Sequence, residues 1–316
     1  MDDVCCHRSR PGGILTLVPK HRKQHVIPKC YLRAWCDPLT PRGQAPYLWR
    51  ITRDGSKKQK RSPEKSFTAA DRYTIKLPNG GRDLIIEETL SKLESDFVRV
   101  LARVRRREPL EPKDRARLCV FAAAMHARPI AMGEHWRSTM QSVKANVARL
   151  EQAHGAEPSA SRDLEPLVAT APQMFLAESL GFQPPLLFQM AMSVMVTDDE
   201  VGFITSDTPC VWLNPEAYKM PPIYRSPGLA QRGIEVRLPL TPQHLLIISH
   251  HDKIPQYAEV GQAAVDEFNR ITRFNCHEEF TSWKGATRLC WFDPGKPPPD
   301  AWENSPEGKA ALERPR

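Results

Sequence analysis

No stretch of this 316-residue chain approaches the ~18 consecutive apolar residues that would cross a bilayer. The longest early apolar segment, Gly13 to Val18, is too short for the core of an export signal, and Asp2 and Asp3 precede it. A cytoplasmic protein with no membrane partner is therefore expected. Cysteine is sparse, at positions 5, 6, 30, 36, 119, 210, 276 and 290, and no Cys-x-x-Cys pair exists. That is not the dense disulfide framework of a small secreted domain, and it leaves only a faint zinc pattern in Cys5, Cys6, His7 and His21 or His25. Signature motifs are missing too. There is no Gly-x-x-x-x-Gly-Lys-Ser/Thr phosphate loop, no Gly-x-Gly-x-x-Gly, no Gly-x-Ser-x-Gly and no His-Glu-x-x-His. P-loop hydrolysis, a nucleotide cofactor and the common hydrolase triads have no support.

What is present suits a globular protein. Hydrophobic residues make up 41% and charged residues 26%, enough for a substantial core. The formal net charge is +8, unevenly placed. Residues 1–110 hold 24 Lys and Arg against 12 Asp and Glu, whereas the rest holds 21 against 25. The runs are Lys20 to Lys23, Lys57 to Arg61 and Arg103 to Arg107. Such density attracts phosphate polymers, so nucleic acid is the expected partner of the first 110 residues. The plainer reading is solvated turns and a helix end, where Arg suits the dipole.

The order of patterns gives the fold class. Tyr47 to Thr52 reads as a strand, Asp54-Gly55 as a hairpin turn, and Arg72 to Leu77 as a second strand. Asp83 suits a helix cap, and Ile86, Leu90, Leu93, Phe97, Leu101 and Val104 form one helical stripe. A helix from Pro112 should break at Pro129, and a polar helix carrying Trp136 should run to about Ala153. Residues 154–170 read as a linker and 172–195 as helix. Strands are expected at 201–205, 210–213, 234–238, 245–249 and 280–283, with a turn at 239–242 and a helix at 260–275. This sequence of elements implies an α+β fold: an N-terminal antiparallel hairpin region, a helical middle, and C-terminal antiparallel strands with a helix. The expected division is a leader at 1–19, one domain at 20–285, and a disordered Pro-rich, charged tail at 286–316.

Several polar residues sit where chemistry is plausible. Glu87 and Glu94, seven apart, lie within about 20° of each other on a helix wheel, at the edge of the apolar stripe. Paired carboxylates there bind a divalent metal or act as acid and base; otherwise they pair with a neighbouring Lys or Arg. Asp207 interrupts an apolar strand, either projecting into a cleft or closing an Asx turn. Arg128 precedes Pro129 in an apolar run, so it meets an internal carboxylate or faces a cleft. His25 opens His25-x-x-Pro28-x-x-Tyr31-Leu32 directly after the basic cluster.

These positions, taken in order, resemble the domain of unknown function 4238 family. The matches are His25, Pro28, Tyr31 and Leu32; Tyr73-Thr74; Glu87 and Glu94; Arg128 near Pro129; Ser206-Asp207-Thr208-Pro209; Pro239; and Asn269. Lys29-Cys30, Trp35 and the adjacency of Arg128 and Pro129 depart from the family pattern. The resemblance carries no activity. It implies the domain limits and that these polar residues form a set. The expected function is a metal-dependent phosphodiester hydrolase, a nuclease. Glu87, Glu94 and Asp207 would hold Mg²⁺ or Mn²⁺, His25 would be base or ligand, and Arg128 would steady phosphate charge. Tyr31, Tyr73, Asn269 and Lys23 would bind substrate. Two alternatives stand beside it: a non-catalytic binding module for nucleic acid or a small anionic ligand, and a scaffold with a buried salt-bridge network. Oligomeric state is left open.

Overall fold

The computed structural model describes residues 23–76, 81–251, 253–295 and 298–312. The expected leader at 1–19, with Cys5, Cys6 and His7, lies outside them, as does His21.

Strand β1 (Lys23–His25) and helix α1 (Lys29–Leu32) carry the opening motif, followed by β2 (Leu48–Thr52), β3 (Lys58–Arg61), β4 (Thr68–Ala70), β5 (Ile75–Lys76) and β6 (Arg82–Asp83). The helical middle is α2 (Ile85–Arg105), α3 (Pro112–Ala127), α4 (Ile130–Ala153), α5 (Ala160–Asp163) and α6 (Glu165–Phe188). Then come β7 (Ala191–Val196), β8 (Thr205–Ser206), β9 (Val211–Leu213), β10 (Glu235–Thr241), β11 (His244–Ser249), β12 (Tyr257–Glu259), α7 (Gln262–Asn275), β13 (Glu279–Ser282) and α8 (Pro306–Leu312). The class is α+β.

Two larger sheets tie the ends of the chain together. One has the order β12-β7-β11-β10-β9, antiparallel except for β12 with β7. The other, β3-β2-β13-β8, joins the N-terminal hairpin to the C-terminal strands. Gly55 takes φ 76° at the β2–β3 turn, as the Asp-Gly signal requires. The α2 stripe packs inward: Leu90, Leu93, Phe97, Leu101 and Val104 are buried. Phe97 stacks on Phe121 of α3 at 3.7 Å, and Tyr31 closes on both rings. Large apolar side chains of this kind contribute about 1.5–3 kcal/mol each when fully buried. They fasten the opening motif to the helical middle.

Several expected boundaries are corrected. The strand expected at 72–77 is cut short because Asp71, at φ 48°, starts a turn closed by Thr74 N–H to Asp71 O, leaving only β5. The strand expected from Val201 begins at Thr205. Gly202 turns at φ +67°, and a Cβ there would meet the Pro242 carbonyl at 2.3 Å. The turn expected at 239–242 is tighter, since Pro239 to Thr241 stay in β10 and pair with β11. The linker at 154–170 is largely α5 and the start of α6, because Pro166 occupies a first-turn position where no N–H bond is lost. The helix expected to 195 stops at Phe188. Residues 191–196 form a strand between β11 and β12, and a short apolar run does not separate the two states by periodicity. The disordered tail does not start at 286. Trp291 is buried and donates to Asp266 Oδ1 at 2.7 Å, while Arg288 bridges Asp199 and Asp266 at 2.8 Å each. A single aromatic anchor is hidden by the surrounding Pro and charge.

Candidate functional site

The expected polar set centres on Arg128. Pro129 cannot continue the α3 hydrogen-bond ladder, so Arg128 lies at the α3–α4 joint, 2% exposed. Its Nη1 donates to Glu94 Oε1 at 2.9 Å, its Nη2 to the His25 carbonyl at 2.6 Å, and its Nε to the Tyr73 hydroxyl at 3.1 Å. One guanidinium thus links β1, the turn before β5, α2 and its own joint. Burial pulls its pKa down, but Tyr73 and Glu94 more than reverse this, so it is raised and the charge is kept.

The remaining members of the set are likewise committed. Glu87 Oε2 accepts from Gln24 Nε2 at 2.9 Å, and Gln24 also reaches the Thr74 hydroxyl and the Tyr73 N–H. The His25 ring faces the Pro63 carbonyl at 3.3 Å, and burial lowers its pKa. Asp207 is a turn clamp: Oδ1 accepts from the His277 N–H at 2.8 Å, and Oδ2 from the Glu278 and Glu279 N–H groups at 2.6 and 3.1 Å. The metal triad Glu87, Glu94 and Asp207 is therefore corrected, because each carboxylate serves a different partner. Among the described residues, no group of three or more His, Cys, Asp or Glu is placed to hold a metal ion.

The expected substrate contacts change as well. Tyr31 is fully buried, donating to the Pro239 carbonyl at 2.7 Å beside the Thr205 hydroxyl at 2.6 Å. Asn269 is 1% exposed and clamps the Ile204 N–H and the Gly202 carbonyl. Tyr73 is buried on Arg128. These three side chains are committed to contacts within the fold. Lys23 is exposed at the start of β1. Three arginines of the run at the end of α2 are ion-paired, Arg103 with Glu108, Glu111 and Asp114, Arg106 with Glu108, and Arg107 with Glu259.

Open space lies beside this hub. An aromatic chamber of about 730 Å³ is walled by α4 (Met132, His135, Trp136), α6 (Phe175, Phe182, Gln183) and the segments around β9 (Cys210, Trp212) and Leu229. A second chamber of about 290 Å³ shares Ala131 and Thr208 with it as wall residues. This smaller chamber gathers the motif segments: Val26 and Ile27, Ile130 and Ala131, and Asp207 and Thr208, with Arg50, Lys65 and 277–279. The motif residues thus build walls of a cleft without assembling as a catalytic set.

The aromatic chamber has flat faces. Trp136 stacks on Phe175 at 4.5 Å, and His126 on Trp212 at 4.0 Å with 8° between planes. Three polar atoms of chamber residues are buried without a hydrogen-bond partner among the described residues: Gln183 Oε1, Trp136 Nε1 and Trp212 Nε1. Gln183 is 2% exposed. Burial lowers the His126 pKa to about 4 and raises the Cys210 thiol to about 12, so neither of these groups is charged near neutral pH. Sequence reasoning missed this site. Its one signal was Trp136, a large aromatic on an otherwise polar helix.

His126 makes stability pH-dependent. Unfolded, its imidazole takes a proton near its ordinary 6.5; folded, only near 4. The unfolded state binds more protons between those values, so stability is full above about pH 6.5 and falls toward pH 4. The His126 contribution lost is on the order of 3 kcal/mol. His244, held down to about 4 by burial and by Arg105 and Arg107, adds in the same direction. Urea midpoints should decline from pH 7 to 4.5, and His126→Phe, which keeps a ring on Trp212, should flatten the decline. An equally steep decline in that variant would contradict the assignment.

The family model described as "Protein of unknown function (DUF4238)" matches residues 23–282. No curated protein and no solved structure matches the chain.

Proposed function

The chain belongs to the DUF4238 family, whose description carries no activity, and from the cleft we propose that it is a binding module for a planar heteroaromatic small molecule. The observation that carries this reading is the aromatic wall itself, Trp136 stacked on Phe175 and His126 stacked on Trp212 around a chamber of about 730 Å³. Stacking on an aromatic face adds about 1–3 kcal/mol per ring. The chamber volume falls within the range of roughly 300–1,000 Å³ usual for small-molecule sites.

Binding is favoured over turnover because the groups on this wall are not poised for chemistry. The His126 imidazole is neutral, stacked on Trp212 and half-buried, and the Cys210 thiol stays protonated. Phosphodiester hydrolysis would need a carboxylate set other than Glu87, Glu94 and Asp207, each of which holds the fold. The lysines of β3 lie over Trp49 and Tyr47 on a sheet edge, an arrangement that blunts edges against other strands and does not by itself favour nucleic acid.

Titration calorimetry tests the reading with adenine as probe and naphthalene as a planar control lacking the polar edge. Adenine should bind with a Kd in the micromolar range and at least about tenfold tighter than naphthalene. Absence of adenine binding at millimolar concentration, or equal affinity for both, would refute it.

A further inference from the structure

The walls of the aromatic chamber indicate the charge of what it takes, an inference that rests on the chamber being a ligand site. They draw on α3, α4, α6 and the segments around β9, and among the described residues that form them there is no Lys, Arg, Asp or Glu. Five charged residues adjoin wall residues in the sequence: Arg128, Glu134, Arg137, Asp207 and Arg225. All five are committed elsewhere. Arg128 pairs with Glu94 at 2.9 Å, Glu134 with Arg137, and Arg225 with Glu303 at 2.7 Å. Asp207 accepts three backbone N–H groups.

The polar side chains that remain in the walls include Gln183, Thr208, Ser226 and Asn275, which are amides and hydroxyls. Of the two imidazoles, His126 is stacked on Trp212, and His135 is exposed and lies edge-on to Trp136 at 6.0 Å. An ion that enters such walls loses part of its hydration and gains no opposite charge in return. Aromatic faces compensate a cation in part. Here one face of Trp136 is already taken by Phe175 at 4.5 Å, and one face of Trp212 by His126 at 4.0 Å. An anion over a ring fares worse, because the face is the negative side of the ring quadrupole. A neutral ring incurs neither cost and stacks on the same faces.

We propose that the chamber selects uncharged ligands, planar heteroaromatic rings that carry no phosphate, carboxylate or ammonium group. The basic residues behind the net charge of +8 lie outside these walls and do not forecast the ligand. Free bases and similar neutral rings are admitted; nucleotides and other ionised compounds are disfavoured.

Calorimetry on the full chain at pH 8 with quinoline, quinoline-6-carboxylate and N-methylquinolinium tests the selection, since one ring is offered neutral, negative and positive. Quinoline should bind at least about tenfold tighter than either ion. Leu186 is a wall residue, 44% exposed in the last turn of α6, where a cation suits the helix end, so Leu186→Lys should fold normally. It should move the carboxylate-to-quinoline affinity ratio toward the carboxylate by roughly three- to fivefold. A parent protein that binds either ion as tightly as quinoline would overturn the selection while leaving the chamber standing as a ligand site. An unmoved ratio in Leu186→Lys would also overturn it, because the ring would then lie outside these walls. Binding of none of the three would overturn both.

Discussion

Arg128→Met should lower the unfolding free energy by about 3–5 kcal/mol, because it leaves buried partners uncompensated. The side chain is 2% exposed and joins Glu94, Tyr73 and the His25 carbonyl. Removing it strands the His25 carbonyl and leaves a half-buried Glu94 facing an apolar group. For a chain of this size a loss of that magnitude lowers Tm by roughly 10 °C. Arg128→Lys should recover little, since one ammonium cannot reproduce a planar fork aimed at three acceptors. Glu94→Gln should cost less than Arg128→Met. The double variant should cost clearly less than the sum of the two, as expected for residues in direct contact. Additive losses in thermal and urea unfolding would contradict the hub.

Gln183→Leu is expected to do the opposite to stability. The parent holds Gln183 Oε1 buried and unmet, so a leucine of similar volume should raise stability by about 1–2 kcal/mol. Thermal and urea unfolding check it, and a destabilised Gln183→Leu protein would contradict the assignment of an unmet oxygen.

The fold was largely legible because its signals are local and periodic. The α2 stripe, the Pro112 start, the Pro129 break and the Asp54-Gly55 turn each rest on a few neighbouring residues. The errors arose where distant contacts decide. Gly202 turns because the Pro242 carbonyl crowds it, and the 286–293 segment orders because Asp266 and Asp199 receive Arg288 and Trp291. For the site, the sequence singled out Glu87, Glu94, Arg128 and Asp207 correctly as unusual for a core. It could not show that Gln24 would take Glu87, that Arg128 would take Glu94, or that backbone N–H groups would take Asp207. Pairing is a matter of three-dimensional neighbours, and both an active site and a scaffold need their buried charges satisfied. The walls now assigned to ligand, Trp136 and Trp212 among them, are uncharged, and only Trp136, a large aromatic on a polar helix, is marked in the sequence.

The most direct test is a crystal structure of the full chain soaked with adenine. The account predicts density for the ring against the Trp136 and Trp212 walls of the aromatic chamber. An empty chamber, with adenine absent or bound elsewhere, would contradict it.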